Sequence, residues 1–557
     1  MNTPLIDISP DDWAIIRNIL QKNVPQWNVW AFGSRAKWTA KEYSDLDLAI
    51  ITDKPLPLKV SASLSNDFSE SDLPWKVDVV DWATTSETFR KIIEREKVLV
   101  QKGASSVGGL GVASKWMRSN LGSIAKFYSG GTPSKQTATY WGGTIPWISA
   151  TSLKTSRIFD SDLRITEEGL LAGSRLAKKD DILLLVRGSA LHQGIPIGIA
   201  IRDVAFNQDI KALRAQAGID PNFLFYQLQG RRSELLGMVE FTGIGAGKLD
   251  TNKLQALPVE LPYIEEQKGI VAIARSLDDR IDHNRALAAN LEAIARQLFK
   301  SWFVDFDPVR AKAAGEKPSG LADDIAVLFP DRFVESELGE IPEGWSTAHL
   351  ADLIHAERGL SYKGAGLADR ESGKSMHNLN SVLEGGGYKY AGIKFYTGAF
   401  KERHIAKAGD IIVANTEQGH KHRLIGFPAI IPTSCDEGLF SHHLYRVRLL
   451  RGAATTRYWL YYALMAPDVR EQIIGHANGS TVNMLKPTGL QVPLVVLPLL
   501  RLCQQFDDIV KALHELIEAS IAESAVLTNL RDLLLPRLIS GKLRVEDAVS
   551  LVEETIA

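Results

Sequence analysis

Two stretches of the chain place an apolar residue at every third or fourth position for about forty residues, the spacing of a long helix. In the first, IEEQKGIVAIARSLDDRIDHNRALAANLEAIARQLFKSWF, residues Ile270, Leu277, Leu291 and Leu298 share one heptad position, with Asn284 between them. Ile273, Leu287 and Ile294 fall three residues later. In the second, RLCQQFDDIVKALHELIEASIAESAVLTNLRDLLLPRL, residues Phe506, Leu513, Leu527 and Leu534 align around Ser520. Ile509, Leu516 and Leu530 follow three residues on, and Glu523 breaks that row. A seam kept over several heptads predicts a coiled coil. At 1.5 Å per residue each helix spans roughly 60 Å, and the two would pack antiparallel and hold the parts before them apart. Elsewhere the pattern is that of short strands: WNVWAF, LDLAIIT, KVDVVDW and IPWI.

The segments before the two helices echo one another. KKDDILLLVRG around Asp181 returns as KAGDIIVANTEQG around Asp410, and GAGKLDTNKLQALPVELP returns as ANGSTVNMLKPTGLQVPLVVLP. The offset, about 230 to 240 residues, is too long for a solenoid. It implies a duplicated module, each copy a strand-rich globular part followed by one helix. A chain of 557 residues suits roughly three or four domains. The uncharged GASSVGGLGVAS reads as a linker. The expected order is a first domain over 1–102, the linker over 103–114, a globular domain over 115–262 and a helix over 263–305. A connector over 306–344, a second globular domain over 345–498, a helix over 499–545 and a tail over 546–557 complete it.

The total charge of -2 speaks against a polyanionic partner until it is divided. Residues 113–262 and 345–498 each carry +5; residues 1–112, 263–344 and 499–557 carry -2, -6 and -4. Both globular repeats are basic and both helical segments acidic, so two polyanion-facing domains are expected beside protein-facing helices. The apolar run near Leu490 to Leu502 is broken by Pro493 and Pro498, so no membrane helix is expected. The first residues lack a signal-peptide pattern. Two cysteines, Cys435 and Cys503, favour the cytoplasm over a disulfide framework or a Cys-rich zinc site.

Candidate chemistry appears first in WNVWAFGSRAKWTAKEYSDLDLAIIT. Alternation along a strand sets Asp45 and Asp47 on one face and Leu46 and Leu48 on the other. Two carboxylates on one face suit Mg²⁺, which takes carboxylate oxygens together with substrate phosphates. A Gly-Ser turn lets backbone N–H groups approach a phosphate. A third carboxylate is expected from KVDVVDW: Asp78 opposes Val77 and Val79, whereas Asp81 shares their face. Gly-Ser, a spacer and Asp-x-Asp resemble the minimal nucleotidyltransferases of the DNA polymerase beta superfamily, over about residues 10–100. The resemblance implies a catalytic and metal-binding set of Asp45, Asp47 and Asp78. It also implies a nucleotide-binding turn of Gly33, Ser34 and Arg35, with Mg²⁺ as cofactor. Many members of that superfamily are antitoxin-like, and some transfer a nucleotide to a partner protein.

The duplicated part carries SGGTPSKQTATYWGGTIPWISATSLK, LPYIEEQ, QLFKSWFVDFDPV, ELGEIPEGW and LRDLLLPRLISGKLRV, in that order. These resemble the specificity subunits of type I restriction-modification enzymes, over about residues 115–545. The implied fold is α+β and multidomain: a small α/β nucleotidyltransferase-like domain, then two α/β target-recognition domains separated by long antiparallel spacer helices. The implied function is to read the two halves of a bipartite double-stranded DNA target. The spacer region would dock two methyltransferase (modification) subunits, and restriction/translocase subunits would join them. S-adenosylmethionine and ATP enter only through those partners, and the specificity part is not itself catalytic. Residue type and loop position nominate Lys135, Arg187 and His192 as DNA contacts in the first domain. Lys363, Asn380, Lys421 and His422 are nominated in the second. FTGIGAGK lacks the flanking residues of a P-loop or a methyltransferase motif and reads as a glycine-rich loop. His420/His422 and His442/His443 lack ligand-spaced partners, so solvated or DNA-facing histidines are expected there.

Overall fold

The computed structural model describes residues 6–41, 44–52, 55–101, 103, 116–241, 246–419, 421–479 and 482–556. Most of the expected linker, the centre of FTGIGAGK and His420 lie outside the described residues. The chain divides into two compact units, Met1–Pro221 with Leu235–Gln267, and Asn222–Glu234 with Lys268–Ala557.

In the first unit, the N-terminal domain is a four-stranded sheet in the order Val77–Asp81, Leu46–Ile51, Asn28–Phe32, Val98–Gln101. The first pair is parallel and the others antiparallel. Helix Pro10–Asn23 begins where Ser9 Oγ accepts from Asp12 N and Pro10 presets the first turn. Its buried Ile16 and Leu20 meet Leu46, Leu48 and Ile50 of the sheet and Leu64 and Phe68 of helix Leu58–Ser69.

The rest of that unit is the first globular repeat. Its five-stranded sheet runs Ala125–Ser129, Ile210–Ala215, Ile182–Leu185, Ile197–Ala200, Arg157–Ile158. A three-stranded ribbon, Arg187–Gly188, Gly247–Leu249, Val239–Phe241, follows, and Met117–Asn120 pairs antiparallel with Pro258–Leu261. In the second unit the same plan returns. Ile354–Arg358, Leu444–Leu449, Ile411–Ala414 and Pro428–Ile430 form one sheet. Thr416–Gln418, Val482–Leu485 and Ala477–Asn478 form a ribbon, and Ser346–His349 pairs with Leu494–Leu497.

The echo around Asp181 and Asp410 has a structural cause. Each aspartate accepts from a backbone N–H three residues earlier, Lys178 and Lys407, both at 2.8 Å. Each also holds an arginine from the adjacent strand, Arg214 at 2.7 Å and Arg448 at 2.5 Å. The repeat therefore preserves a turn-to-strand clamp.

The two 40-residue helices, Ile264–Phe303 and Leu500–Ile539, pair antiparallel within the second unit. Asp278 meets Arg531, Arg280 and Asn284 meet Glu523, and Phe299 and Phe303 pack on Phe506. The expected seam is half right. The row Ile270, Leu277, Asn284, Leu291 is buried, but its companions lie four residues on, at Ala274, Ile281 and Ala295. Ile273 is buried, yet Leu287 and Ile294 are exposed, Ile294 by 54%, and Leu516 on the second helix is exposed by 53%. Short helices pack beside the pair and turn its buried face. Tyr226, in helix Pro221–Gln229, donates to Asp278 Oδ2 at 2.9 Å, and Tyr462, in helix Arg457–Ala463, meets His514 Nε2 at 2.9 Å. The tail expected over 546–557 is a helix, Val545–Ile556, whose Val552 packs with Leu277, Ile281 and Leu527.

Candidate functional site

In the N-terminal domain, antiparallel pairing sets Phe32 opposite Asp47, so the Gly33–Ser34 turn emerges beside that carboxylate. Gly33 has φ +78°, and a Cβ there would overlap Asp47 Oδ2. Glycine is thus required twice, for the left-handed backbone and for the carboxylate's approach. Parallel register sets Asp78 beside Asp47 on the neighbouring strand. Burial raises the Asp47 carboxyl above its ordinary range, and the Asp78 and Asp45 carboxylates add to the effect. Asp45 is exposed, just ahead of the strand.

The three carboxylates share an edge but do not close a cage; no group of three metal-ligating side chains is gathered among the described residues. Asp78 instead holds Lys76 Nζ at 2.6 Å. Lys76 is a residue the spacing argument overlooked, although it flanks the KVDVVDW strand. Asp47 and Asp78, side by side at the Gly33 turn, fit an ion that takes its remaining ligands from phosphate and water.

Asp81 is spent on structure, accepting from Thr52 Oγ1 at 2.5 Å and Leu56 N at 2.7 Å. Arg35, the third residue of the predicted turn, has its side chain engaged within the domain. Its side chain is buried, with Nε on the Ser44 carbonyl at 2.8 Å, Nη1 on the Asp7 carbonyl at 2.9 Å and the guanidinium over the Trp75 ring. It braces the loop before Asp45, so any part of Arg35 in nucleotide binding falls to its backbone beside Gly33 and Ser34.

In the first globular repeat, Arg187 lies on the three-stranded ribbon, and His192, just after it, stacks on the exposed Phe241 ring with centroids 4.4 Å apart. Lys135 is exposed on a separate turn. In the second, Lys363 and Asn380 are exposed on loops, Asn380 in the turn Leu379–Ser381. Lys421 is exposed beside His422, which has φ +50°. The His422 carbonyl accepts from Arg470 Nη2 at 3.0 Å, and its Nε2 lies 3.3 Å from Asn483 Nδ2 on the second ribbon. The structure therefore brings Arg187 with His192, and Lys421 with His422, to equivalent ribbons. It leaves Lys135, Lys363 and Asn380 on loops of their own.

Two descriptions of protein families match the chain. "Type I restriction modification DNA specificity domain" matches residues 113–293, and "Polymerase beta, Nucleotidyltransferase" matches residues 15–104. A probable protein adenylyltransferase MntA of Haemophilus influenzae is 54% identical over 102 residues, 18% of this chain and 90% of that protein. The type I restriction enzyme MjaIX specificity subunit of Methanocaldococcus jannaschii is 25% identical over 460 residues, 78% of this chain and 95% of that one. The chain carries a type I restriction-modification DNA specificity domain behind an MntA-like nucleotidyltransferase domain. The crystal structure of the type I restriction-modification S subunit from M. genitalium is similar to this chain at 14% identity and a TM-score of 0.45. The match covers 77% of this chain and 97% of that one.

Proposed function

We propose that this chain, as a specificity subunit, reads a bipartite target in double-stranded DNA, one half with each globular repeat. In this reading it docks two methyltransferase subunits and, through them, restriction/translocase subunits. The observation that carries the reading is the duplication itself. One topology recurs, each copy leads into a 40-residue helix, and the ribbons carry different side chains. A recognition module duplicated within one chain suits two inequivalent half-sites. Leu287, Ile294 and Leu516, exposed on the acidic helices, supply apolar anchors for the modification subunits. S-adenosylmethionine and ATP belong to those partners. Co-expression with the modification subunit followed by mapping of methylated adenines tests the reading. A discrete bipartite motif is expected, and no motif with an intact partner sinks it.

For the N-terminal domain we propose Mg²⁺-dependent nucleotidyl transfer to a partner protein. Asp47 and Asp78 hold the ion, and the Gly33–Ser34 backbone receives phosphate. Support comes from the Gly33–Asp47 approach and the Asp47–Asp78 register. Transfer from labelled NTP by the wild type, with no transfer by Asp45→Ala/Asp47→Ala, is the expected result. Equal labelling by both removes those carboxylates from the chemistry.

A further inference from the structure

The two ribbons differ at a position that matters for a polyanion. In the first repeat, Arg187 pairs directly opposite Lys248 across antiparallel strands. Like charges so placed destabilise a sheet, and both side chains are exposed. Neither makes an ion pair among the described residues. The hydrogen bonds of the nearby acids go elsewhere, although Asp250 feels the Lys248 charge: Glu240, opposite Lys248 on its other side, holds Lys253 Nζ at 2.6 Å. Asp250 accepts from the Asn252 and Lys253 amides that open a short helix. Lys211 adds a third cation; burial and the Arg187 charge lower its pKa. Beside these stands the flat, exposed surface of Phe241 stacked on His192.

The second ribbon starts at the same distance past its core strand. Ile182–Leu185 leads to Arg187, and Ile411–Ala414 leads to Thr416. Thr416 pairs with Met484, and Gln418 with Val482. Met484 and Val482 are exposed and uncharged. Where one copy opposes two cations across its strands, the other pairs a buried threonine with an exposed methionine, and its cation Lys421 lies in the loop beyond the ribbon.

We propose that Arg187 and Lys248, with Lys211 behind them, form one phosphate clamp on the DNA backbone, and that the equivalent Thr416–Met484 pair makes no such clamp. This rests on the reading of the two repeats as DNA-recognition domains and adds a division of labour between them. The opposed pair of the first ribbon supplies salt-dependent affinity and orientation; the equivalent Thr416–Met484 pair contributes contact that salt does not screen. A bound phosphate relieves the Arg187–Lys248 repulsion, which explains why an otherwise unfavourable pair is kept.

The test is duplex binding by the full complex with its modification subunits, read by fluorescence anisotropy between roughly 50 and 200 mM salt. Releasing one phosphate contact flattens the slope of log K against log salt by about 1. Arg187→Gln and Lys248→Gln are each expected to flatten it in part and the double variant, which releases the clamped phosphate, by about 1, on every duplex sequence. Met484→Ala is expected to change affinity with the slope unchanged. The glutamine variants are expected to melt no lower than the wild type, because the substitution relieves repulsion. An unchanged slope in the correctly folded double variant overturns the clamp, as does a loss confined to one DNA sequence. A wild-type complex that binds no duplex at low salt overturns the DNA reading as well, a result distinct from either.

Discussion

Replacing Arg531 by methionine should loosen the junction between the paired helices and the short helix that carries Tyr226. Arg531 Nη1 lies 2.7 Å from Asp278 Oδ1, and Tyr226 donates to the other oxygen. The Asp278 side chain is 8% exposed and that of Arg531 20%. Removing one partner of a buried pair costs about 3–5 kcal/mol, because the surviving charge is left without compensation. Two features lower that figure here. Arg531 keeps a fifth of its surface in water, and Arg232 stands close enough to feel the charges of Arg531, Asp278 and Asp532. The expected cost is about 2–3 kcal/mol, a fall in Tm of roughly 4–8 °C for a unit of this size. The informative measurement is a double-mutant cycle by urea unfolding with Asp278→Asn. Removing both charges should bring stability back to within about 1 kcal/mol of the wild type, since hydrogen bonding to Tyr226 survives in a neutral form. The reasoning fails if the double variant is as unstable as Arg531→Met, for then the pair adds nothing beyond packing. The equivalent Tyr462 meets His514 where Tyr226 meets Asp278, and there the carboxylate that the hydroxyl also reaches is Glu292, paired with Arg296.

Three further outcomes are expected. Gly33→Ala should cost the N-terminal domain about 1–3 kcal/mol, from a strained positive φ and overlap with Asp47; thermal unfolding and NTP transfer should both register it. Changing Leu287, Ile294 and Leu516 to glutamine should leave the melting temperature within a degree or two of the wild type while the modification subunits no longer co-purify, because these side chains face solvent in the chain itself. Burial holds His377 and His514 down at about 4, against an ordinary 6.5. Between those values the unfolded chain binds protons that the folded one refuses, so stability is complete above pH 6.5 and is lost as pH falls toward 4. His377→Gln with His514→Gln should flatten that part of the stability–pH curve.

Periodicity and spacing carried much of this protein into view, because these signals depend on near neighbours along the chain. The long helices follow from their apolar rows, the Asp45–Asp47 face from strand alternation, and the duplication from residues such as Asp181 and Asp410 that close the same turn twice. Partitioned charge separated basic domains from acidic helices. What stayed hidden depended on contacts between distant segments. Arg35 is the residue after a Gly-Ser turn by sequence, yet it is consumed by carbonyls of Asp7 and Ser44. The helix seam turned from the expected companions Leu287 and Ile294 to Ala274 and Ile281, because helices from elsewhere in the chain pack beside the pair. Lys248 has no local mark that separates it from other surface lysines; strand register across the ribbon alone sets it opposite Arg187. Local pattern determined which elements form and which faces they bury. The tertiary structure decided which charges meet, because opposition across a sheet or a helix pair is a matter of register between segments that the sequence lists far apart.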